Sequence, residues 1–391
     1  MTKLEELIQE LCPNGVKYLT IPELFITRNG YTPSKANAEF WGNGTIPWFR
    51  MEDIRENGRI LTKSTQYVSE KAIKGKLFPE DSIIIATSAT IGEHALIKVP
   101  SLANQRFTYL VLKNEFKSSV DMMFIFYYCF KLDEFCKTHL NQGNFASVDM
   151  KQFAEFKFPV PPLPVQREIV RILDNFTELT AELTAELTAR RKQYEYYRDA
   201  LLTVSDNIEY KTLPEISENL DRQRKPVTKG NREAGEYPYY GASGIVDYVS
   251  DYIFDGDYLL VSEDGANLLA RSTPIAFSIS GKNWVNNHAH VLKFDTAIMQ
   301  KYVEIYLNSI DLGKYISGGA QPKLNQDNLN KIPIPVPPFN KVKIIVAILE
   351  KFSALCNDIT SGLPAEIEAR KKQYEYYRDK LLSFKSLSRN S

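Results

Sequence analysis

The chain has 391 residues, 43% of them hydrophobic and 25% charged, enough for two cores of ordinary domain size and too apolar for a disordered tract. Lys+Arg and Asp+Glu number 48 each, so no surplus of positive charge announces a nucleic-acid binder, and any such contact must come from local basic faces. No apolar run reaches the roughly eighteen residues of a membrane span, and four cysteines without CxxC pairing or companion histidines indicate neither zinc nor a disulfide framework, as expected in a reduced cytoplasm.

The opening MTKLEELIQELCPNG has the spacing of a short amphipathic helix and lacks the unbroken apolar core of a signal peptide. Residues 1–158 then read as a mixed α/β region with 19 basic and 18 acidic residues. Strand-like runs lie at 81–88 (DSIIIATS) and 107–113 (FTYLVLK), a helix is expected at 120–138, and WGNGTIPW (41–48) is rich in turn formers. At FPVPPLPVQREIVRILDNF (158–176) the prolines stop what precedes them, and the apolar period becomes helical. Ile169, Ile172, Phe176, Leu179 and Leu183 follow at helical spacing, and Arg190, Tyr194, Tyr197 and Leu201 resume it. Residues 159–203 are therefore expected as the spacer helix region, with a rod of about 39 residues roughly 58 Å long.

A second α/β region spans 204–334, with 13 basic and 17 acidic residues. Its strands are expected at 257–262, 274–280 and 290–294, and its helix at 296–312. IPVPPFNKVKIIVAILEKF (334–352) opens a final helical region, 335–391. There Ile348, Phe352, Leu355 and Ile359 precede Arg370, Tyr374, Tyr377 and Leu381, with a kink expected at Gly362 and Pro364.

ARRKQYEYYRDALL (189–202) and ARKKQYEYYRDKLL (369–382) share twelve of fourteen positions. The two Pro-rich junctions align as well, so a unit of globular region, junction and long helix occurs twice. The first helix carries the chain from one region to the next, and the second must run back along it. The expected fold is therefore α/β (α+β): two globular domains held apart by two long antiparallel helices, related by an approximate two-fold. A recent duplication would also leave matching helices. The globular regions have diverged, however, whereas outward positions match or nearly match: Arg191, Gln193, Glu195, Arg198 and Asp199 against Lys371, Gln373, Glu375, Arg378 and Asp379. Like faces point to two copies of one protein partner, and unlike regions to two different ligands.

IPWFRMEDI (46–54), ATSATIG (86–92), YPYYGASGIVDY (237–248), VNNHAHVLK (285–293), the two junctions and RKQYEYYRDxLL, taken together, are similar to the recurring segments of type I restriction–modification specificity (S) subunits. The likeness covers essentially the whole chain. It implies two target-recognition domains, each reading half of a bipartite site in double-stranded DNA, and helices that act as a ruler and dock two modification (methyltransferase) subunits. Restriction subunits would join the larger complex. The S subunit itself catalyses nothing, and S-adenosylmethionine, ATP and magnesium would belong to its partners. One departure is PPFNKV in the second junction where the first has PPLPVQ, so any role of Gln166 has no copy there. TELTAELTAELTAR (177–190), built of good helix formers, resembles the TAEL repeats of that family's spacer. A non-reading coiled-coil scaffold is the rival reading. An enzyme is disfavoured by the lack of GxGxxG, GxxxxGK[ST] and HExxH.

Base edges are read mostly by Arg, Asn, Gln, Lys, Ser and Thr. Loop-like stretches of the first region supply Arg28, Asn29, Tyr31, Arg50, Asn104, Gln105, Arg106, Asn141, Gln142 and Asn144. The second supplies Arg222, Gln223, Arg224, Lys225, Lys229, Tyr240, Gly241, Ser243, Asn286, Asn287, His288, Gln321 and Lys323. RQRK at 222–225 is the first choice for phosphate contact, and Tyr240 and Gly241 also suit a turn. His288 and His290 alternate along a strand, and a packed or hydrogen-bonded role is favoured there over metal ligation.

Overall fold

The computed structural model describes residues 2–141, 146–203, 208–318, 321–358 and 360–387. The chain divides into two compact units, Met1–Glu182 with Glu368–Ser391, and Leu183–Ile367. Each holds one globular region, the start of the helix that follows it and the end of the other repeat's helix.

In the first unit the N-terminal helix Lys3–Leu11 is closed by a capping box: the Glu5 N–H donates to Thr2 Oγ1 (3.3 Å) and the Thr2 N–H to the Glu5 carboxylate (2.8 Å). A five-stranded sheet runs in the order Phe25–Asn29, Phe107–Leu112, Ser82–Ala86, His94–Ile97, Ile60–Leu61. Ser82–Ala86 is central and buried along its length, which is why its sequence is a continuous apolar run instead of an alternating one. A smaller sheet joins Tyr67–Val68, Ile46–Phe49 and Leu102–Ala103. Helix Met122–Thr138 buries Phe124, Cys129, Leu132 and Cys136 in a core shared with Ile83 and Leu96. Lys17–Thr20 pairs with Lys157–Val160 and closes the region.

The second unit repeats this topology. Its main sheet runs Glu218–Asn219, Ala289–Lys293, Tyr258–Ser262, Ala276–Ile279, and Tyr210–Lys211 pairs with Ile334–Pro335 as the closing ribbon. Ala234–Gly241 lies parallel to Lys282–Val285, as Ile46–Phe49 does to Leu102–Ala103. The pairings Ile83↔Leu110 and Ala86↔Phe107 of the first unit become Leu259↔Leu292 and Ser262↔Ala289. Every strand expected from sequence forms, and so do the helices expected near 120–138 and 296–312, as Met122–Thr138 and Ala297–Ser309. The shared fold was hidden in the sequence because a packed core constrains size and apolarity far more than identity.

Leu163–Leu202 is one helix of 40 residues. Its buried apolar side chains are Val165, Ile169, Leu173 and, at its far end, Leu202; Ile172 packs partly buried against the same core, and Leu179 is 46% exposed. The last helical region is broken where a kink was expected, into Phe339–Asn357 and Leu363–Leu381. Asp358 accepts hydrogen bonds from Thr360 N–H (2.7 Å) and Ser361 N–H (3.3 Å), which turns the chain. Ile359 lies outside the described residues.

Within the first unit, Leu163–Leu202 leaves the core through Val165, Ile169 and Leu173, while Leu382 enters it. In the second, Leu202 enters and Val342, Ile345 and Leu349 leave. The paired helical segments therefore run in opposite directions in each unit. Phe176 stacks on Tyr377 at 5.6 Å in one, and the repeat-equivalent Phe352 meets Tyr197 at 5.7 Å in the other. The Gln166 amide donates to the carbonyls of Ser119 (2.8 Å) and Pro161 (2.6 Å) and accepts from Asp121 N–H (2.8 Å). Its counterpart Val342 is simply buried, so Gln166 fastens a loop that only the first unit has. Among the described residues no helix is long and apolar enough to cross a membrane.

Candidate nucleic-acid interface

In the first unit the chosen loops meet at one edge of the sheets. Gly30 N–H donates to the Phe107 carbonyl (2.9 Å), Tyr31 N–H to Ala103 (2.7 Å) and Asn104 N–H to Phe49 (3.0 Å). These bonds draw the segments around Arg28, Arg50 and Asn104 together. Arg50, Asn104, Gln105 and Arg106 line a cleft of about 870 Å³. The fold adds Thr32, Lys35, Trp41 and Gln66 to it, residues that sequence reasoning missed. Lys35 precedes the turn-rich stretch 41–48 and Trp41 opens it, and nothing local marks them as cleft residues.

Other choices serve the fold. Arg28 donates to the Lys76 carbonyl (2.5 Å) and covers the Phe78 ring at 4.0 Å. Asn29 accepts from the Thr108 hydroxyl (2.9 Å). The Tyr31 hydroxyl donates to Ala72 O (3.1 Å) and accepts from Lys74 N–H (2.7 Å). Asn141 donates to Ser147 Oγ (3.2 Å) and Val148 O (3.1 Å). Gln142 and Asn144 lie outside the described residues.

In the second unit the same convergence is ionic. Arg224 donates to Glu263 (2.7 Å) and to the Ala289 carbonyl (2.7 Å), and its guanidinium also lies 3.4 Å from Asp221. Lys323 pairs with Glu263 at 3.2 Å, and exposed His288 faces the Asp264 carboxylate at 2.8 Å. The RQRK stretch is therefore split: Arg224 is spent inside the protein, while Arg222, Gln223 and Lys225 are exposed. Lys229, Ser243, Asn287 and Gln321 are exposed too. Asn286 is buried and accepts the His288 N–H (2.8 Å). Tyr240 accepts the Asn286 N–H on its carbonyl (3.1 Å). Gly241 pairs with Gly244 across the hairpin turn, where Gly244 takes φ +124°.

Strand register makes the two clusters equivalent position by position. Asn104 accepts the Arg106 N–H (3.0 Å) as Asn286 accepts that of His288. Asn29, Thr87 and Thr108 stand where Asp221, Glu263 and His290 stand. In the first unit this trio is neutral, with Thr87 and Thr108 hydroxyls 3.1 Å apart. In the second, His290 Nδ1 lies 2.5 Å from Asp221 and Nε2 2.7 Å from the Leu324 carbonyl. The donor atoms of Asp221, Glu263 and His290 fall within 4.8 Å of one another, as a metal site would require. Both imidazole nitrogens already face acceptors, however, and Arg224 and Lys323 already neutralise the carboxylates. The trio is a clamp beneath the loops, built from hydroxyls and an amide in one unit and from charges in the other. Burial opposes ionisation of Asp221, but the hydrogen bond and charge of His290, the Val291 N–H and Arg224 together hold its carboxyl below the usual value of 3.8.

The duplicated helix ends present the same surface twice. Arg191, Glu195 and Asp199, like Lys371, Gln373, Glu375 and Asp379, are exposed, and Gln193 is half-buried. Arg198 and Arg378 turn partly inward. Arg378 lies over the Phe130 ring at 4.7 Å and Arg198 over Tyr194 at 5.9 Å, each bound to the neighbouring Asp199 (2.7 Å) or Asp379 (3.0 Å). Tyr196 and Tyr376 are 69% and 63% exposed. The helical period leaves them outside, and residue type alone does not mark them as contact residues.

Residues 13–190 and 205–369 match the family model for the type I restriction modification DNA specificity domain, one match per repeat. The chain is 46% identical over 363 residues to the type I restriction enzyme EcoprrI specificity subunit of Escherichia coli, covering 88% of this chain and 89% of the relative. A putative type I restriction enzyme specificity subunit of Haemophilus influenzae is 36% identical over 202 residues, 51% of this chain and 52% of the relative. Among solved structures, a chain described under complex assembly and conformational transition of the type I R-M system gives a TM-score of 0.62 at 13% identity, covering 95% and 98% of the two chains. The S subunit of a type I restriction–modification system from M. genitalium gives 0.50 at 17% identity, covering 94% and 95%. At such identities the likeness is one of fold.

Proposed function

The chain belongs to the type I restriction modification DNA specificity family, and from that premise we propose that its two globular domains, 1–158 and 204–334, read the two unlike halves of one bipartite site in double-stranded DNA. One observation carries the reading. The units share topology, register and hydrogen-bonded clamp, yet differ at equivalent loop positions: Arg50 against Gly241, Arg106 against His288, Asn29 against Asp221. Their helix ends, by contrast, are nearly identical. A common frame with divergent edge residues suits two ligands of one class, and amide and guanidinium side chains suit base edges.

The helical segments 159–203 and 335–391 then act as the spacer. Their repeated ends dock two copies of a methyltransferase subunit, with restriction subunits joining the larger complex. The chain is non-catalytic, and S-adenosylmethionine, ATP and magnesium are cofactors of the partners.

The test is binding of the chain together with its methyltransferase partner to duplexes selected from a random pool, measured across salt concentrations. Enrichment of two unlike half-sites at one spacing, with affinity falling linearly in log salt, supports the reading. Equal affinity for selected and scrambled duplexes contradicts it.

A further inference from the structure

Arg50 is a weakly held cation of the first cluster, half-buried where Arg106 is exposed. Its backbone N–H donates to the Asp53 carboxylate (2.7 Å), which fixes the main chain. Its side chain makes only a 3.4 Å bond to Thr65 and lies 3.9 Å from Glu52, both at the edge of useful geometry. Its Nε is buried with no hydrogen-bond partner, a condition folded proteins rarely leave unfilled. The Trp48 ring beside it, 5.9 Å from the guanidinium, limits where that plane can lie.

The neighbouring amides have less to offer. The Asn104 side-chain oxygen is taken by the Arg106 N–H, and that of Gln105 by the Thr32 hydroxyl. Arg28 and Arg224 are consumed internally. Arg106 is exposed on a turn, a position suited to a phosphate. Arg50 thus brings a guanidinium held only by a long bond to Thr65 to a cleft of about 870 Å³. Gly241, its equivalent, has no side chain, and a Cβ there would lie 3.0 Å from a Val246 methyl.

We propose that Arg50 is the base-reading side chain of the first unit, and that it takes the O6/N7 edge of a guanine in the half-site which that unit recognises. This rests on the DNA reading above. Guanine alone presents two adjacent acceptors in the major groove, the complement of a guanidinium fork, whereas adenine pairs an acceptor with a donor. Arg106 contacts a flanking phosphate.

The experiment uses the full chain with its methyltransferase partner and reads the methylated motif in host DNA and the affinity for the selected duplex. R50K and R50A should each relax one guanine of one half-site, leave the other half-site unchanged and weaken cognate binding about tenfold to a hundredfold. R106A should weaken all sequences alike and lower the salt slope by about one. The unmodified protein, which needs no variant to fold, should lose similar affinity for a duplex carrying 7-deazaguanine at that position, and R50A should lose nothing further on it. An unchanged motif in R50K and R50A, indifference to 7-deazaguanine or a half-site without guanine overturns the assignment. Absence of any bipartite motif with the unmodified chain overturns the DNA reading instead.

Discussion

Gly30 shows how little room the first unit's reading edge has. A Cβ there would collide with the carbonyl oxygens of Ala103 and Asn104, and neither backbone atom can swing aside as a side chain would. G30A should destabilise the unit by about 1–3 kcal/mol in a thermal melt. G230A, with nothing within 4 Å of its Cβ, should stay within about 0.5 kcal/mol. Asp221 gives the second unit a pH signature. Its folded pKa lies below the unfolded value near 3.8, so its ionised form stabilises the protein above that value, and the contribution is lost as pH falls through the folded pKa. Melting temperature below pH 4 should therefore fall less steeply in D221N than in the unmodified chain, with D221N the less stable at pH 7. Residue type alone located the loops but not which cations were free. Arg28 and Arg50 look alike in a sequence, and a carbonyl from Lys76 decides that one is spent.

The long helix was legible as an element because proline, then a 3-4 apolar period, marks start and course. Its inward face was less so: Leu173 is buried beside the half-buried Ile172, while Leu179, further along, is exposed. Gly362 and Pro364 predict a kink, and the helix breaks outright before Leu363 because the Asp358 side chain, which leaves no apolar signal, caps the turn. The TAEL tract makes a sharp prediction. One added TAEL lengthens a helix by about 6 Å, so the two half-sites should move apart by one or two base pairs with their sequences unchanged, as read from the methylated motif. An altered half-site at constant spacing would sink the ruler. Tyr196 and Tyr376, exposed alike on repeated surfaces, should anchor the methyltransferase, as amphipathic aromatics do at interface centres. Y196A with Y376A should weaken co-purification of that subunit at least tenfold, and each single change should weaken one of two binding events. Retention of both copies by the double variant would place the docking surface elsewhere.

For the whole molecule, the duplication was readable wherever the sequence had not diverged, at the junctions and helix ends. The likeness of the globular regions emerged only in strand order and register, because Thr108 and His290 fill one position by quite different chemistry. That contrast is also the functional account: one frame used twice, unlike side chains on its edges, like faces on its helices. Single-molecule methylation sequencing of DNA from a host expressing this chain with its methyltransferase partner tests it most directly. The account predicts one bipartite motif with two unlike half-sites separated by a fixed, sequence-indifferent gap. A contiguous motif, two identical half-sites or a gap of variable length would contradict it.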